Sequence, residues 1–272
     1  MNNSINELNE ISRKARIDII KTLFNAKSGH TAGPLGMVEV FTALYYEVLN
    51  HKPSNPEWKG RDRLILSNGH ICPVLYVTLA NLGYFPKEEL KTFRRINSRL
   101  QGHPHNVHTP GVENSSGPLG QGISQAMGFA LAAKIKGEKH RIYCITSDGE
   151  HDEGQTWEAY MFASKQNLDN LTVLMDRNNI QIDGFTKDIM PLEPLKEKLE
   201  SFNMHVIEVD GHNINEILNA CNDAEKVNKT SIIICHTIPG KGVSFMEDDF
   251  EWHGKPPGME ETELALRELG NG

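Results

Sequence analysis

Short apolar runs rich in β-branched residues alternate along this chain with longer segments of helical period, and that alternation restricts the fold more than any other feature. The strand candidates are Arg63–Leu66, Arg141–Thr146, Leu171–Met175, His205–Val209 and Ser231–His236, each ending in a polar or glycine-containing turn. Helical spacing predicts helices over Leu8–Ala26, with Leu8, Ile11, Ala15, Ile19 and Leu23 on one stripe, and over Met37–Leu49, Ile71–Asn81, Lys87–Ile96, Gly122–Lys136, Thr156–Gln166 and Asn215–Val227. Glu260–Leu269 reads as a short surface helix. The expected architecture is α/β: a doubly wound, mainly parallel sheet with helices on both faces. No repeat or low-complexity linker divides the 272 residues, so residues 1–272 are expected to form one domain with ample length for a buried core.

Charge and cysteine usage narrow the function classes. Acidic residues outnumber basic ones, 36 against 28, for a formal net charge of −8, which supplies no field for wrapping polyphosphate chains and argues against nucleic acid as a partner. The one basic cluster, Lys91, Arg94, Arg95 and Arg99, recurs at roughly helical spacing and reads as a solvated helix face. Cys72, Cys144, Cys221 and Cys235 stand far apart, without the paired spacing of a zinc ribbon or a redox motif, which implies a reducing compartment. The longest mostly apolar stretch, Ile71 to Ala80, is about half of the roughly 20 residues needed to span a bilayer, so the chain is expected to be cytoplasmic, with no membrane partner.

In a doubly wound sheet, ligands bind beyond the carboxyl ends of the strands, and here those ends are rich in polar residues. Arg141–Thr146 runs into Ser147-Asp148-Gly149-Glu150-His151-Asp152-Glu153-Gly154, and Leu171–Met175 into Asp176-Arg177-Asn178-Asn179-Ile180-Gln181-Ile182-Asp183-Gly184. A hard divalent ion takes one or two carboxylates and fills its shell with amide, carbonyl, water and phosphate oxygens, a demand that Asp148 and Asn178 meet. Ordinary turns account for the same Asp, Asn and Gly residues. Upstream, Gly117-Pro118-Leu119-Gly120-Gln121-Gly122 opens a helix and offers backbone N–H groups to an anion, although its glycines follow neither a Walker loop nor a dinucleotide fingerprint.

Of twelve histidines, five have glycine as an immediate neighbour: His30, His70, His103, His212 and His253. Glycine lets a loop bring an imidazole close to a ligand. His103, His105 and His108 can also be read as a zinc site, but no thiol stands near them.

In order along the chain, Ser28-Gly29-His30, Leu66-Ser67-Asn68-Gly69-His70, Gln101-Gly102-His103-Pro104, Gly117–Gly122, Asp148-Gly149 with Asn178, Ile182-Asp183-Gly184 and Trp252-His253-Gly254 resemble the diphosphate-binding half of transketolase. The resemblance runs from about residue 10 to the C-terminus. It implies the thiamine-diphosphate-binding fold, thiamine diphosphate as cofactor, and Mg²⁺ or another divalent ion such as Ca²⁺ or Mn²⁺. By position it implies Asp148, Asn178 and the carbonyl of Ile180 as metal ligands. His70, Gly117, Pro118, Leu119, Asp148, Gly149, Glu150 and Asn178 fall on the cofactor's diphosphate side. His30, His103 and His253 match histidines that face the substrate, and Glu153 matches an acidic residue at the subunit interface. Two departures stand out: Ser147 where glycine is usual, and Thr31 after His30 where proline is common.

The implied reaction is transfer of a two-carbon ketol unit from a ketose phosphate to an aldose phosphate. A full-length transketolase is more than twice this long and carries a pyrimidine-binding domain and a C-terminal domain. A separately encoded C-terminal partner is therefore expected, in an α₂β₂ assembly. The alternatives are a related enzyme's subunit for another sugar phosphate (a branched sugar, or a 1-deoxyxylulose-phosphate-synthase-like reaction) and a non-catalytic interaction half-domain.

Overall fold

The computed structural model describes residues 3–270. Five strands, β1 (Arg63–Leu66), β2 (Ile142–Ser147), β3 (Leu171–Arg177), β6 (His205–Asp210) and β7 (Ser231–His236), form a sheet in the order β1-β2-β3-β7-β6. Every neighbouring pair in it is parallel. A small antiparallel hairpin, β4 (Ile180–Gln181) and β5 (Gly184–Phe185), follows β3. The helices are α1 (Ile5–Ala26), α2 (Ala32–Gly36), α3 (Val38–Ala43), α4 (Cys72–Asn81), α5 (Gln121–Lys136), α6 (Gly154–Gln166), α7 (Thr186–Ile189), α8 (Leu195–Ser201), α9 (Ile214–Lys226) and α10 (Met259–Gly270).

Strand side chains alternate between two cores, as the pleat requires. Leu64, Leu66, Tyr143, Ile145, Leu174 and Ile233 pack with α1, α3, α4 and α9 on one face. Ile65, Ile142, Cys144, Val173, Met175 and Ile232 pack with α5, α6 and α8 on the other. Burial on both faces explains why the strands read as unbroken apolar runs.

The expected strands and most helices are present, and the differences have local causes. Helix α1 begins three residues early because Ser4 and Glu7 close a capping box. The expected helix 37–49 is α3 continued by a π-helical turn, Leu44–Val48, closed by the Leu49 N–H on the Leu44 carbonyl. The segment 87–96 is a 3₁₀ stretch, Lys87–Thr92, followed by a turn in which Arg94 and Asn97 have positive φ. Its basic residues therefore do not form a helix face. Strand β3 runs two residues past Met175, pairing Asp176 with Cys235 and Arg177 with His236. No described helix is long and apolar enough to cross a membrane. All four cysteines are free and buried.

Candidate functional site

Because the five strands are parallel, their carboxyl ends share one edge of the sheet. The register sets Ser147 beside Asp176, and the Asp148 N–H donates to the Asp176 carbonyl at 3.0 Å. Asp148 is fully buried. Its Oδ1 accepts from the Gly149 N–H at 2.7 Å; its Oδ2 accepts from the Asn179 N–H at 2.7 Å and from Arg177 Nη1 at 3.0 Å. Burial pushes its carboxyl up to about 6, opposed by the Arg177 guanidinium and the two amides.

Asn178 donates from Nδ2 to Asp176 Oδ2 at 2.8 Å and accepts the Ile180 N–H on Oδ1 at 3.0 Å, which fixes which way its amide points. Asp176 is itself buried and accepts the Thr237 hydroxyl, and burial pushes it up to about 7. A carboxylate offers about four acceptor sites and an amide oxygen two, so Asp148, with three N–H partners, and Asn178, with one, each keep a lone pair. One carboxylate, one amide and the Ile180 carbonyl are hard oxygen donors suited to a divalent ion such as Mg²⁺. Among the described residues no three His, Cys, Asp or Glu side chains form a metal-ligating group, so nitrogen or sulfur ligation has no competing cluster.

The glycine-rich loop is held from below. Gly120, at φ +76°, caps α5, and a Cβ on Gly122 would lie 2.5 Å from the Ser67 Cα, so only glycine lets the helix approach the end of β1. The fully buried Glu150 accepts the Ser67 hydroxyl and the Gly120 N–H (2.7 Å) on Oε1, and the Ser147 N–H on Oε2 at 3.4 Å. Its carboxylate serves protein donors and so shapes the Gly117-Pro118-Leu119 loop from behind. The N–H of Gly120, expected to be bare, is taken by Glu150. Glu153 is exposed at the start of α6 and makes no capping bond.

Four of the five glycine-flanked histidines gather on the same edge. The ring centroids of His30 and His70 are 5.0 Å apart, those of His70 and His253 5.1 Å, and those of His30 and His253 5.5 Å. The His103 ring stands 3.6 Å from where a Gly117 Cβ would be, so it abuts the loop. Nδ1 of His30 and of His253 is buried without a hydrogen-bond partner, as are both amide atoms of Asn68 and the Ser116 hydroxyl. Burial, reinforced by repulsion from His253 when protonated, from the Arg94 guanidinium and from His103 when protonated, pushes His30 down to about 4. Burial likewise lowers His70, His103 and His253. The fifth, His212, lies elsewhere: Nδ1 meets the buried Glu39–Arg16 pair at 3.0 Å, and Nε2 accepts the Ile238 N–H.

With this geometry in place, the sequence profile describing transketolase, thiamine diphosphate binding domain, matches residues 7–272. The chain belongs to the transketolase family. It is similar to an apulose-4-phosphate transketolase component from Actinobacillus succinogenes, with 42% identity covering 98% of each chain. It is also similar to a 6-deoxy-6-sulfo-D-fructose transketolase subunit of a Clostridium species, with 45% identity over 89% of this chain and 88% of that one. The crystal structure of transketolase from Campylobacter jejuni superposes with a TM-score of 0.93 at 36% identity, over 98% of this chain and 43% of that one. Against such longer transketolases the chain spans about two fifths of the length.

Three residues at this edge of the sheet, Arg94, Asp176 and Arg177, carry no clear signal in the sequence. Arg94, expected on a solvated face, turns inward, donating to the Ser28 hydroxyl at 2.8 Å from Nη1, with its Nε buried. Its left-handed backbone, locked by the Arg94 N–H on the Leu100 carbonyl, has no sequence mark for an arginine. Asp176 and Arg177 read as loop residues. The charges that look like the end of the strand are its last two positions, buried because they orient Asn178 and Asp148. Thr31, the departure noted beside His30, is fully buried and donates to the Lys255 carbonyl.

Proposed function

We propose that this chain is the diphosphate-binding subunit of a thiamine-diphosphate-dependent transketolase, moving a two-carbon ketol unit from a ketose phosphate to an aldose phosphate once joined by a C-terminal partner subunit. The observation that carries this reading is the meeting, at one sheet edge, of the Asp148–Asn178 oxygen pair, the Glu150-braced glycine loop and three histidine rings within 5.5 Å of one another. Relatives of nearly the same length are themselves named as transketolase subunits, which supports a partner encoded separately.

In this reading Asp148, Asn178 and the Ile180 carbonyl hold the divalent ion, Mg²⁺ or a substitute such as Ca²⁺ or Mn²⁺. Gly149, His70 and the Gly117–Leu119 segment line the diphosphate, with Glu150 supporting that segment. When bound, thiamine diphosphate supplies the electron sink needed to break a carbon–carbon bond beside a carbonyl. The protein's part is positioning and proton handling. His30 and His253, neutral at pH 7 because they are buried, are set to take the proton of the donor's hydroxyl, and a neutral imidazole is the form that can accept it. His103, against Gly117, holds a substrate hydroxyl. Glu153, exposed at the start of α6, meets the other half of an α₂β₂ assembly, which we place in the cytoplasm.

The decisive experiment is co-purification from the native host, followed by assay of the complex with xylulose 5-phosphate and ribose 5-phosphate. The expected outcome is turnover by the complex that disappears when thiamine diphosphate is omitted. Robust turnover by this chain alone, or cofactor-independent activity, overturns the reading.

A further inference from the structure

The segment carrying His253 has its own brace. Residues Phe250–Trp252 form a 3₁₀ turn capped by Asp249, whose side chain accepts the Glu251 N–H, and the His253 N–H closes on the Phe250 carbonyl at 2.9 Å. Trp252 is buried against Phe245, and Lys255 lies with Nζ 3.9 Å above the Trp252 ring and 2.8 Å from Glu261 Oε1. All these contacts are local to the last quarter of the chain. Among the described residues, one hydrogen bond ties residues 253–258 to the first half of the chain: the Thr31 hydroxyl donates to the Lys255 carbonyl at 2.6 Å, across 224 positions.

The placement of that bond is what matters. Thr31 is the residue after His30, and Lys255 is two residues after His253. A Cβ on Gly254, between them, would stand 4.0 Å from His30 Nε2, so the two segments touch where the bond is made. The donor side of the bond is fully buried at Thr31, while its acceptor lies on the exposed Lys255, so the bond pins an exposed segment onto a buried anchor. We propose that Thr31 is a positioning residue for the two-histidine site: its hydroxyl latches the 253–258 segment onto the His30 loop and so sets the approach of His253 to His30. The catalytic consequence rests on the proton-handling reading of those histidines. The latch itself is a physical property of the chain.

The test compares Thr31→Val, which keeps shape and removes the hydroxyl, with Thr31→Ser, which keeps the hydroxyl. Hydrogen exchange on the full chain reads the amides of His253, Gly254, Lys255 and Gly258, since Pro256 and Pro257 carry none, with strand β7 as internal reference. Thr31→Val should speed exchange at these four amides by about five- to tenfold, the effect of one net hydrogen bond, with β7 unchanged and Thr31→Ser close to wild type. In the reconstituted complex the same Val variant should lower kcat with the affinity for thiamine diphosphate, measured by calorimetry, unaltered. Exchange in Thr31→Val equal to wild type, or Thr31→Ser as fast as Val, overturns the latch. If Thr31→Val does not fold, the Ser variant decides alone: protection like wild type supports the latch, and its loss overturns it. A complex inactive even as wild type counts against the functional reading and leaves the exchange result standing.

Discussion

The acid cluster at the ends of β2 and β3 and the histidine bowl beside it are built on opposite principles. Around Asp148, Asp176, Arg177 and Asn178 almost every polar atom has a protein partner within 3.2 Å, so the geometry is fixed before anything binds. Around His30, His70 and His253 the rings pack on one another and Nδ1 of His30 and of His253 is buried and unmatched. An unpartnered buried polar group costs of the order of 1–3 kcal/mol, so the bowl holds stability in reserve that a ligand can recover, whereas the acid cluster is already satisfied by protein and offers a ligand only the lone pairs that Asp148 and Asn178 keep.

The contrast breaks most visibly at the histidines. Replacing His30 or His253 by alanine should reduce turnover of the reconstituted enzyme by about 10²- to 10⁴-fold, the usual contribution of general acid–base groups, with cofactor binding retained. Steady-state kinetics paired with calorimetry checks both halves; loss of cofactor affinity equal to the loss of rate would make the bowl part of the cofactor clamp. On the other side, Asp148→Ala should weaken joint binding of thiamine diphosphate and Mg²⁺ by ~100-fold or more, beyond the 10–100-fold typical of outer-shell changes. Unchanged affinity by calorimetry would remove Asp148 from the metal site.

A smaller effect appears in acid. The ordinary imidazole value is 6.5 and burial lowers His30 to about 4, so above pH 6.5 the group is neutral folded or unfolded and contributes nothing. Between pH 6.5 and about 4 the unfolded chain binds a proton that the folded chain resists, so stability falls with pH. At pH 5 the loss from His30 is about 2 kcal/mol, and His30→Gln should remove that share. Denaturant midpoints at pH 7 and pH 5 measure it; an equal acid shift in wild type and variant would show that His30 is not held neutral.

How legible the molecule is depends on which force shapes each part. Strands buried on both faces are readable because they must be apolar throughout, and both the edge strand Arg63–Leu66 and the inner strand Ser231–His236 fall where expected. The end of β3 is not, because Asp176 and Arg177 break that apolar pattern for the sake of the site, and polarity alone reads as a loop. The segment after Thr92 fails for a related reason: helical spacing of Arg94, Arg95 and Arg99 is indistinguishable in sequence from a turn whose one inward arginine meets Ser28. Glycine beside histidine is a useful signal, since four such histidines converge. It does not separate out His212, whose imidazole joins Glu39 to the Ile238 N–H and stiffens the scaffold. Thr31 is visible as a departure, but its partner lies too far along the chain for local pattern to find.

The carboxylate of Glu150 has a consequence for how sequences like this one can drift. Ser67, Gly120 and Glu150 come from three distant stretches, yet losing the Glu150 carboxylate strands the Ser67 hydroxyl and the Gly120 N–H, losing the Ser67 hydroxyl takes a donor from a buried carboxylate, and a side chain at Gly120 meets a left-handed φ and the Gln155 and Glu153 side chains. Descendants of this chain can therefore explore new residues at these positions only in concert, as a single inherited unit, while the exposed Glu153 three positions away is free to follow whatever surface it meets.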